Sequence, residues 1–241
     1  FGVGVDAIDL ATARARGVRV TNTPDVLTDA VAELALALML ALCRRIVPAD
    51  SYVRAGRWTG FGAYPLTDEL TGKTVGIVGL GRIGKEIARR CQAFRMQVVY
   101  HGRRRQPHEP YPFFADLAEM ARAADWLVVV APGGAGTHHM VDRAVLEALG
   151  PEGALVNVGR GTSVDEAALV ACLEAGRLGG AALDVYEDEP RVPDALKTME
   201  NVVLSPHQGS ATRKTRRAMG ELVVANLDAF LNGDPLPTPV V

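Results

Sequence analysis

Cysteine is scarce in this chain. Its 241 residues include three, Cys43, Cys91 and Cys172. They lie far apart and without metal-ligand spacing. That excludes a disulfide framework and a thiolate metal site, and it suits idle thiols in a reducing compartment. Long apolar runs are missing too. The longest, Val31 to Cys43, contains Glu33 and is too short to span a bilayer. No stretch reads as a signal peptide, so the expected location is cytoplasmic. Charge of one sign is also absent. The formal net charge of −2 gives no overall field that would draw nucleic acid or an anionic membrane. Repeats and low-complexity segments are lacking. The remainder is an ordinary globular composition, 48% apolar and 22% charged, long enough to bury a core without disulfides or metals. The chain opens with Phe1 inside a strand-like stretch, so it reads as a piece of a longer protein.

From Val75 onward, short apolar runs alternate with helical spacing. Thr74–Gly79, Gln97–Tyr100, Trp126–Ala131, Gly153–Val158, Gly180–Val185 and Asn201–Leu204 read as strands. Arg82–Phe94 and Val164–Ala175 read as helices. Apolar strands separated by helices predict a parallel sheet covered on both faces, wound right-handedly into an α/β doubly wound fold. Before Val75 the pattern differs. Val18–Thr21 reads as a strand, and Asp25–Val47 as one long apolar helix with Pro24 at its start and Pro48 at its end. Such a helix needs a covering surface, either the sheet, a second subunit or both. Gly56–Leu70 reads as a loop carrying Trp58, Phe61 and Tyr64. Thr212–Leu231 reads as a closing helix stopped at Asn232-Gly233.

The clearest motif is Val75-Gly76-Ile77-Val78-Gly79-Leu80-Gly81-Arg82-Ile83-Gly84. Gly79 suits a tight turn, Gly81 a close backbone approach to a pyrophosphate, and Gly84 close packing of helix on strand. The helix start would offer unpaired N–H groups and a positive dipole end to phosphates. A lone motif of this kind is weak. Here it sits between a strand and a helix and heads several alternating units, which points to a bound dinucleotide. An acidic residue is expected about 20 residues on, to hold the ribose hydroxyls. At that spacing stand Arg103, Arg104 and Arg105. A guanidinium favours the extra phosphate of NADP that a carboxylate would repel. The expected cofactor is therefore NADPH, with NAD as second choice.

Three further segments follow predicted strands: Val156-Asn157-Val158-Gly159-Arg160-Gly161-Thr162, Ala182-Leu183-Asp184-Val185-Tyr186-Glu187-Asp188-Glu189-Pro190, and Val203-Leu204-Ser205-Pro206-His207-Gln208-Gly209. Singly they are unremarkable, since a histidine before a helix is more often a cap and an arginine between glycines a loop charge. Together, and in this order after the glycine turn, they resemble the D-isomer-specific 2-hydroxyacid dehydrogenase family over essentially the whole chain. Tyr100-His101-Gly102-Arg103-Arg104, Ala131-Pro132-Gly133-Gly134 and Pro235-Leu236-Pro237-Thr238-Pro239 are most similar to its bacterial glyoxylate, hydroxypyruvate and hydroxyphenylpyruvate reductases.

The resemblance implies reduction of a 2-keto acid to the D-2-hydroxy acid. His207 would donate the proton, Glu189 would hydrogen-bond the imidazole and favour its charged form, and Arg160 would bind the substrate carboxylate. Backbone N–H groups of Val3 and Gly4 would hold that carboxylate too. Asp184 would meet the nicotinamide carboxamide, and Pro132 would line the cofactor. Elementary chemistry agrees with this division. Hydride addition builds negative charge on oxygen, which an acid and a fixed cation stabilise. The expected organisation is a remnant of a substrate domain in residues 1–26, a Rossmann-type dinucleotide domain with a dimerisation helix in 27–209, and a C-terminal helix returning to the substrate side in 210–241. The flavodoxin-like substrate domain is expected to be incomplete. A homodimer is expected, with no nucleic-acid, membrane or metal partner. Gln208 departs from the family, where an apolar residue is common. A corepressor-like regulator on the same fold, resembling the C-terminal-binding proteins, would carry the same three residues and is the alternative.

Overall fold

In the computed structural model residues 1–62 and 64–241 are described, and Ala63 of the aromatic loop lies outside them. The strands are β1 Thr74–Val78, β2 Gln97–His101, β3 Phe113–Phe114, β4 Trp126–Val129, β5 Ala154–Asn157, β6 Gly180–Leu183 and β7 Val202–Leu204. They form one seven-stranded sheet in the order β3-β2-β1-β4-β5-β6-β7, and every pairing is parallel. The direction of winding reverses between β1 and β4, and that switch point is where ligands bind in open α/β sheets. Register lines up the carboxyl ends. Val78 pairs with His101 and Val129, Val129 with Asn157, Asn157 with Leu183, and Leu183 with Leu204. Every loop that follows a strand therefore leaves from one rim.

Alternation along the strands feeds two apolar layers. Val75, Ile77, Val128, Val156 and Ala182 face helices α2 (Thr28–Cys43) and α4 (Arg82–Ala93) through Ala35, Met39, Ile87 and Cys91. Val78, Leu127, Val129, Leu155 and Ala181 face α5 (Leu117–Arg122), α6 (Arg143–Leu149) and α7 (Glu166–Glu174) through Met120, Leu146, Leu169 and Cys172. These strand residues are sealed from solvent, the pattern of a parallel sheet covered on both faces. The thiols are buried, and loss of solvent pushes Cys91 up to about 12. No helix among the described residues is long and apolar enough to cross a membrane.

Three expectations before Val75 need correction. The strand-like stretch at Phe1 is no strand, because residues 1–5 pair with no ladder. The helix predicted over Asp25–Val47 is two helices. α2 stops at Cys43, Arg45 adopts a left-handed conformation, and α3 runs Ile46–Arg54. Pro48 sits in the first turn of α3, where an amide has no helical partner anyway, so it opens a helix rather than closing one. The break carries no glycine, and the apolar run continues past it, so nothing in the sequence marked it. Val18–Thr21 is not a strand. It makes a single bridge, Thr21 to Pro239, beside bonds between Val20 and Val240–Val241 in the C-terminal tail. A strand needs a neighbour's ladder, and here the short tail offers only one bridge. The closing helix α9, Arg213–Asn232, has Thr212 as its N-cap and a left-handed Gly233 as its stop. Short helices α1 (Leu10–Ala15, capped by Asp9) and α8 (Asp194–Thr198), together with the two-residue edge strand β3, are too brief for periodicity to reveal.

Candidate active site

The turn between β1 and α4 is shaped by its glycines. Gly79 has φ +99°, and a Cβ there would come within 2.9 Å of the Ala131 backbone. A Cβ on Gly84 would strike the Gly79 carbonyl, whereas one on Gly81 would meet nothing within 4 Å. The helix thus seats tightly on the strand, while the space in front of Gly81 stays open. The amides of Arg82, Ile83 and Gly84 form the first turn of α4, whose N-cap Gly81 has no side chain to satisfy them. Unsatisfied amides, a positive helix end and open space suit a pyrophosphate. The residues present therefore fit a dinucleotide. The Arg82 side chain points elsewhere, pairing with Asp25 at 2.8 Å.

Arg103, Arg104 and Arg105 follow β2 on the same rim. All three are exposed, and none forms an ion pair among the described residues. The loop is tied down at its far end by Gln106. Its N–H donates to the Tyr100 hydroxyl at 2.7 Å, and its side-chain amide donates to the Leu80 carbonyl at 2.7 Å.

The segments after β6 and β7 meet in a dense polar cluster. Glu189 Oε2 lies 2.6 Å from His207 Nδ1, and its other oxygen accepts the Tyr186 N–H at 3.1 Å. His207 is half exposed, its side chain at 49%, and its backbone is left-handed at φ +51°. That backbone is clamped from behind. Asp184, 1% exposed, accepts the Ser205 hydroxyl at 2.6 Å and the N–H groups of Gln208 and Gly209 at 2.8 and 2.9 Å. The buried Tyr186 hydroxyl donates to the Ser205 carbonyl at 3.0 Å and accepts its N–H at 3.2 Å. A cleft of about 330 Å³ opens beside the pair, lined by Tyr186, Pro190, Leu204 and Pro206 among others.

Arg160 follows β5. Asn157, buried beneath it, donates to the Arg160 carbonyl at 2.9 Å and accepts the Gly159 N–H at 3.1 Å, which fixes the turn. The guanidinium donates through Nη1 to the Gly159 carbonyl at 2.9 Å, and its Nε lies 3.2 Å from Asp6 Oδ1. Gly4 packs directly against the guanidinium, and Gly133, next to Pro132, lies against both Arg160 and Asp6. Val3 is anchored by its carbonyl, which accepts from Asn22 at 2.9 Å. The structure thus joins Glu189 to His207, with Asp184 behind the histidine loop, and it joins Arg160 to Gly4 and the Pro132 loop.

Several partners escaped sequence reasoning. Asp6 stands two residues after Gly4, yet nothing local tells that its carboxylate meets the guanidinium of Arg160, which follows β5. Ser205 precedes the Pro-His pair and Gln106 follows the arginines, but their partners lie across the fold. His139, which belongs to none of the motifs above, lies 2.8 Å from Glu187 through Nε2 and stacks on His138 at 3.9 Å between ring centroids. It latches the loop after β4 to the loop that bears Glu189.

Comparison with known proteins identifies the family and the fold. The family profile for the D-isomer specific 2-hydroxyacid dehydrogenase NAD binding domain matches residues 36–209, so the cofactor class of the fold is a nicotinamide dinucleotide. The hydroxyphenylpyruvate reductase of Plectranthus scutellarioides is 52% identical over 241 residues, covering 100% of this chain and 77% of its own length. The 2-ketogluconate reductase of Gluconobacter oxydans is 46% identical over 240 residues, again 100% of this chain and 77% of its own. A crystal structure of an NADPH-dependent glyoxylate/hydroxypyruvate reductase from Sinorhizobium meliloti, in complex with NADP and malonate, superposes with a TM-score of 0.96 at 49% identity, covering 100% of this chain and 76% of that one. The motifs, the sheet and these likenesses converge, and the chain belongs to the D-isomer-specific 2-hydroxyacid dehydrogenase family.

Proposed function

We propose that this protein reduces a 2-keto acid to the D-2-hydroxy acid with NADPH, and that glyoxylate, hydroxypyruvate and aryl-pyruvates are its substrate class. The observation that carries this reading is the 2.6 Å contact between Glu189 and His207, set beside an open cleft and braced from behind by Asp184. A proton donor to a keto oxygen must be aimed before the substrate arrives. The three relatives reported above are each named for reduction of a 2-keto acid, which supports the class.

In this reading, the amides of Arg82, Ile83 and Gly84 hold the pyrophosphate, with Gly79 shaping the turn and Gly81, whose own N–H donates to the Gly79 carbonyl at 2.9 Å, leaving room for it. Arg103 and Arg104 grip the 2′-phosphate, and Pro132 lines the groove. When bound, the reduced nicotinamide would supply a hydride for the keto carbon. His207 gives its proton to the keto oxygen as charge builds there, so the sum is keto acid plus hydride plus proton. Glu189 takes the Nδ1 side of the ring, which turns Nε2 toward the substrate. Arg160 holds the carboxylate through the guanidinium nitrogens that Asp6 leaves unused, and the Val3 and Gly4 amides share that load. Asp184 keeps the histidine loop in place and has a lone pair left on Oδ2 for the carboxamide. Residues 1–26 and 210–241 belong to the substrate side, and 27–209 to the cofactor side.

The test is a panel of 2-keto acids assayed with NADPH and with NADH. Turnover of at least one at higher kcat/KM with NADPH is expected. No turnover with any of them, or equal use of the two cofactors, would overturn the corresponding part. A two-fold homodimer belongs to the same proposal. The inner face of α2 is covered within the chain, but the segment after it is not. Ile46, Val47 and Val53 of α3 are more than half exposed, and Phe61 and Leu66 of the loop are 100% and 98% exposed. Apolar surface of this kind marks an interface. Light scattering at micromolar concentration should report a dimer, and a monomer would refute it.

A further inference from the structure

The arginine loop is exposed at its tip but held at both ends by the turn it would have to cooperate with. At its start, the Gly79 N–H donates to the His101 carbonyl at 2.9 Å. At its end, Gln106 reaches Leu80, the residue between Gly79 and Gly81, at 2.7 Å. The acceptor is a carbonyl, so the amide nitrogen must face it. The Gln106 backbone is fixed as well, through its bond to the Tyr100 hydroxyl. Tyr100 is 1% exposed and packs on Phe113 at 5.3 Å between ring centroids. Among the described residues, no other side chain between Gly102 and His108 bonds to the glycine turn.

We infer that Gln106 is a positioning residue that sets cofactor specificity, by fixing the span between the pyrophosphate amides and the Arg103–Arg104 guanidiniums. The inference rests on the NADPH reading above. A long arginine side chain loses rotamer freedom when it grips a phosphate. The grip is strongest when the backbone already stands at the right separation from the cradle, because less ordering is left for the ligand to impose. Gln106 supplies that separation from a partly buried position, without a charge of its own. The fold does not hang on it. Lys85 of α4 independently pairs with Glu109 at 2.7 Å, which holds the following segment to the same helix. Replacing Gln106 should therefore loosen the arginines and leave the sheet intact.

The probes are 2′,5′-ADP and 5′-AMP, which differ by the 2′-phosphate alone. Calorimetric titration of the whole protein with each gives the 2′-phosphate preference directly. Gln106→Leu should cut that preference by about fivefold to tenfold, the worth of one net hydrogen bond, while 5′-AMP affinity stays within about twofold. Gln106→Glu, which cannot donate to Leu80 and adds negative charge by the arginines, should cut it further. An unchanged preference in Gln106→Leu, with Arg103→Ala losing it, overturns this inference and spares the NADPH reading. Parallel loss of both ligands makes Gln106 a mere strut and also overturns it. Absence of any preference in the parent protein overturns the NADPH reading and this one with it.

Discussion

Ser205–Gly209 and Gly102–Arg105 both leave the carboxyl rim of the sheet, after β7 and β2. In the first, the backbone is held at nearly every step. Tyr186 takes both backbone polar groups of Ser205, Asp184 takes the Ser205 hydroxyl and the next two amides beyond His207, and Glu189 takes the ring itself. In the second, the three arginines face solvent and only the ends of the loop are tied. The contrast follows from the tasks proposed for each. Proton transfer needs heavy atoms within hydrogen-bond reach and correctly aimed, so order must precede the ligand. A phosphate attracts guanidiniums over several ångströms and can organise flexible side chains on arrival. Rigidity is concentrated where geometry decides the outcome.

The largest break in that comparison comes from His207→Ala. Loss of general acid catalysis should lower kcat by about 10²–10⁴-fold, while NADPH binding and folded fraction hold, because the Asp184 clamp engages neighbours of His207 rather than its ring. Measuring kcat per folded site, with folding followed by calorimetry, decides the matter. A value within a few-fold of the parent would make His207 a helix-entry residue only. Glu189→Gln keeps an acceptor for Nδ1 at 2.6 Å but weakens the hold on the ring, so kcat should fall by less than in His207→Ala while NADPH affinity stays within about twofold.

Next in size is Arg103→Ala. Removing a charge-assisted phosphate contact costs about 1.5–3 kcal/mol, or roughly 10- to 150-fold in kcat/KM with NADPH. NADH use should change by no more than about twofold, since no other partner of Arg103 is lost. Equal damage to both cofactors would mean that the loop carries structure rather than specificity, and the contrast drawn above would fail.

Ser205→Ala probes the rigid side. It leaves one oxygen of a buried carboxylate short of a donor, which costs about 1–3 kcal/mol. The expected result is a lower Tm and a lower kcat at unchanged KM for the keto acid, because the histidine loop loosens while Arg160 stays put. A fall in Tm with kcat intact would show that the clamp serves stability alone.

The sheet was legible because its strands are continuous apolar runs, which follows from burial on two faces, and because α4 between them carries a clear 3.6 period. The glycine turn was legible because steric closeness to Ala131 and Gly79 demands glycine at fixed spacing. Arg160, Glu189 and His207 were singled out by the order of their motifs, not by any local property. What stayed hidden is what depends on tertiary meeting: Asp6 against Arg160, Gln106 against Leu80, Ser205 against Asp184. The αL break at Arg45 stayed hidden for another reason, since a non-glycine residue there leaves no compositional mark.

The smallest expected effect lies at the back of the acid corner, in Glu166. This carboxyl opens α7 and lies 3.4 Å from the Glu187 N–H. Burial pushes its titration above the ordinary carboxylate range, and the nearby Glu187 and Asp188 charges add to this against the opposing backbone bond. A helix start favours a negative group, yet here loss of solvent outweighs it. The folded state therefore holds this proton more tightly than the unfolded chain does. Stability from this group is fully present below the unfolded value, about pH 4.3, and is lost as pH rises through the higher folded value. Glu166→Gln keeps an acceptor for the Glu187 N–H and removes the charge. The variant should melt higher than the parent at neutral pH, and the gap should close by about pH 4, where the parent carboxyl is largely protonated. The group is partly solvated, so screening keeps the effect small, a Tm gain of no more than about 2–4 °C. Melting curves for both proteins across this range test it. A gap that persists at low pH would assign the gain to packing, and a variant that melts lower at neutral pH would show that the helix dipole wins after all.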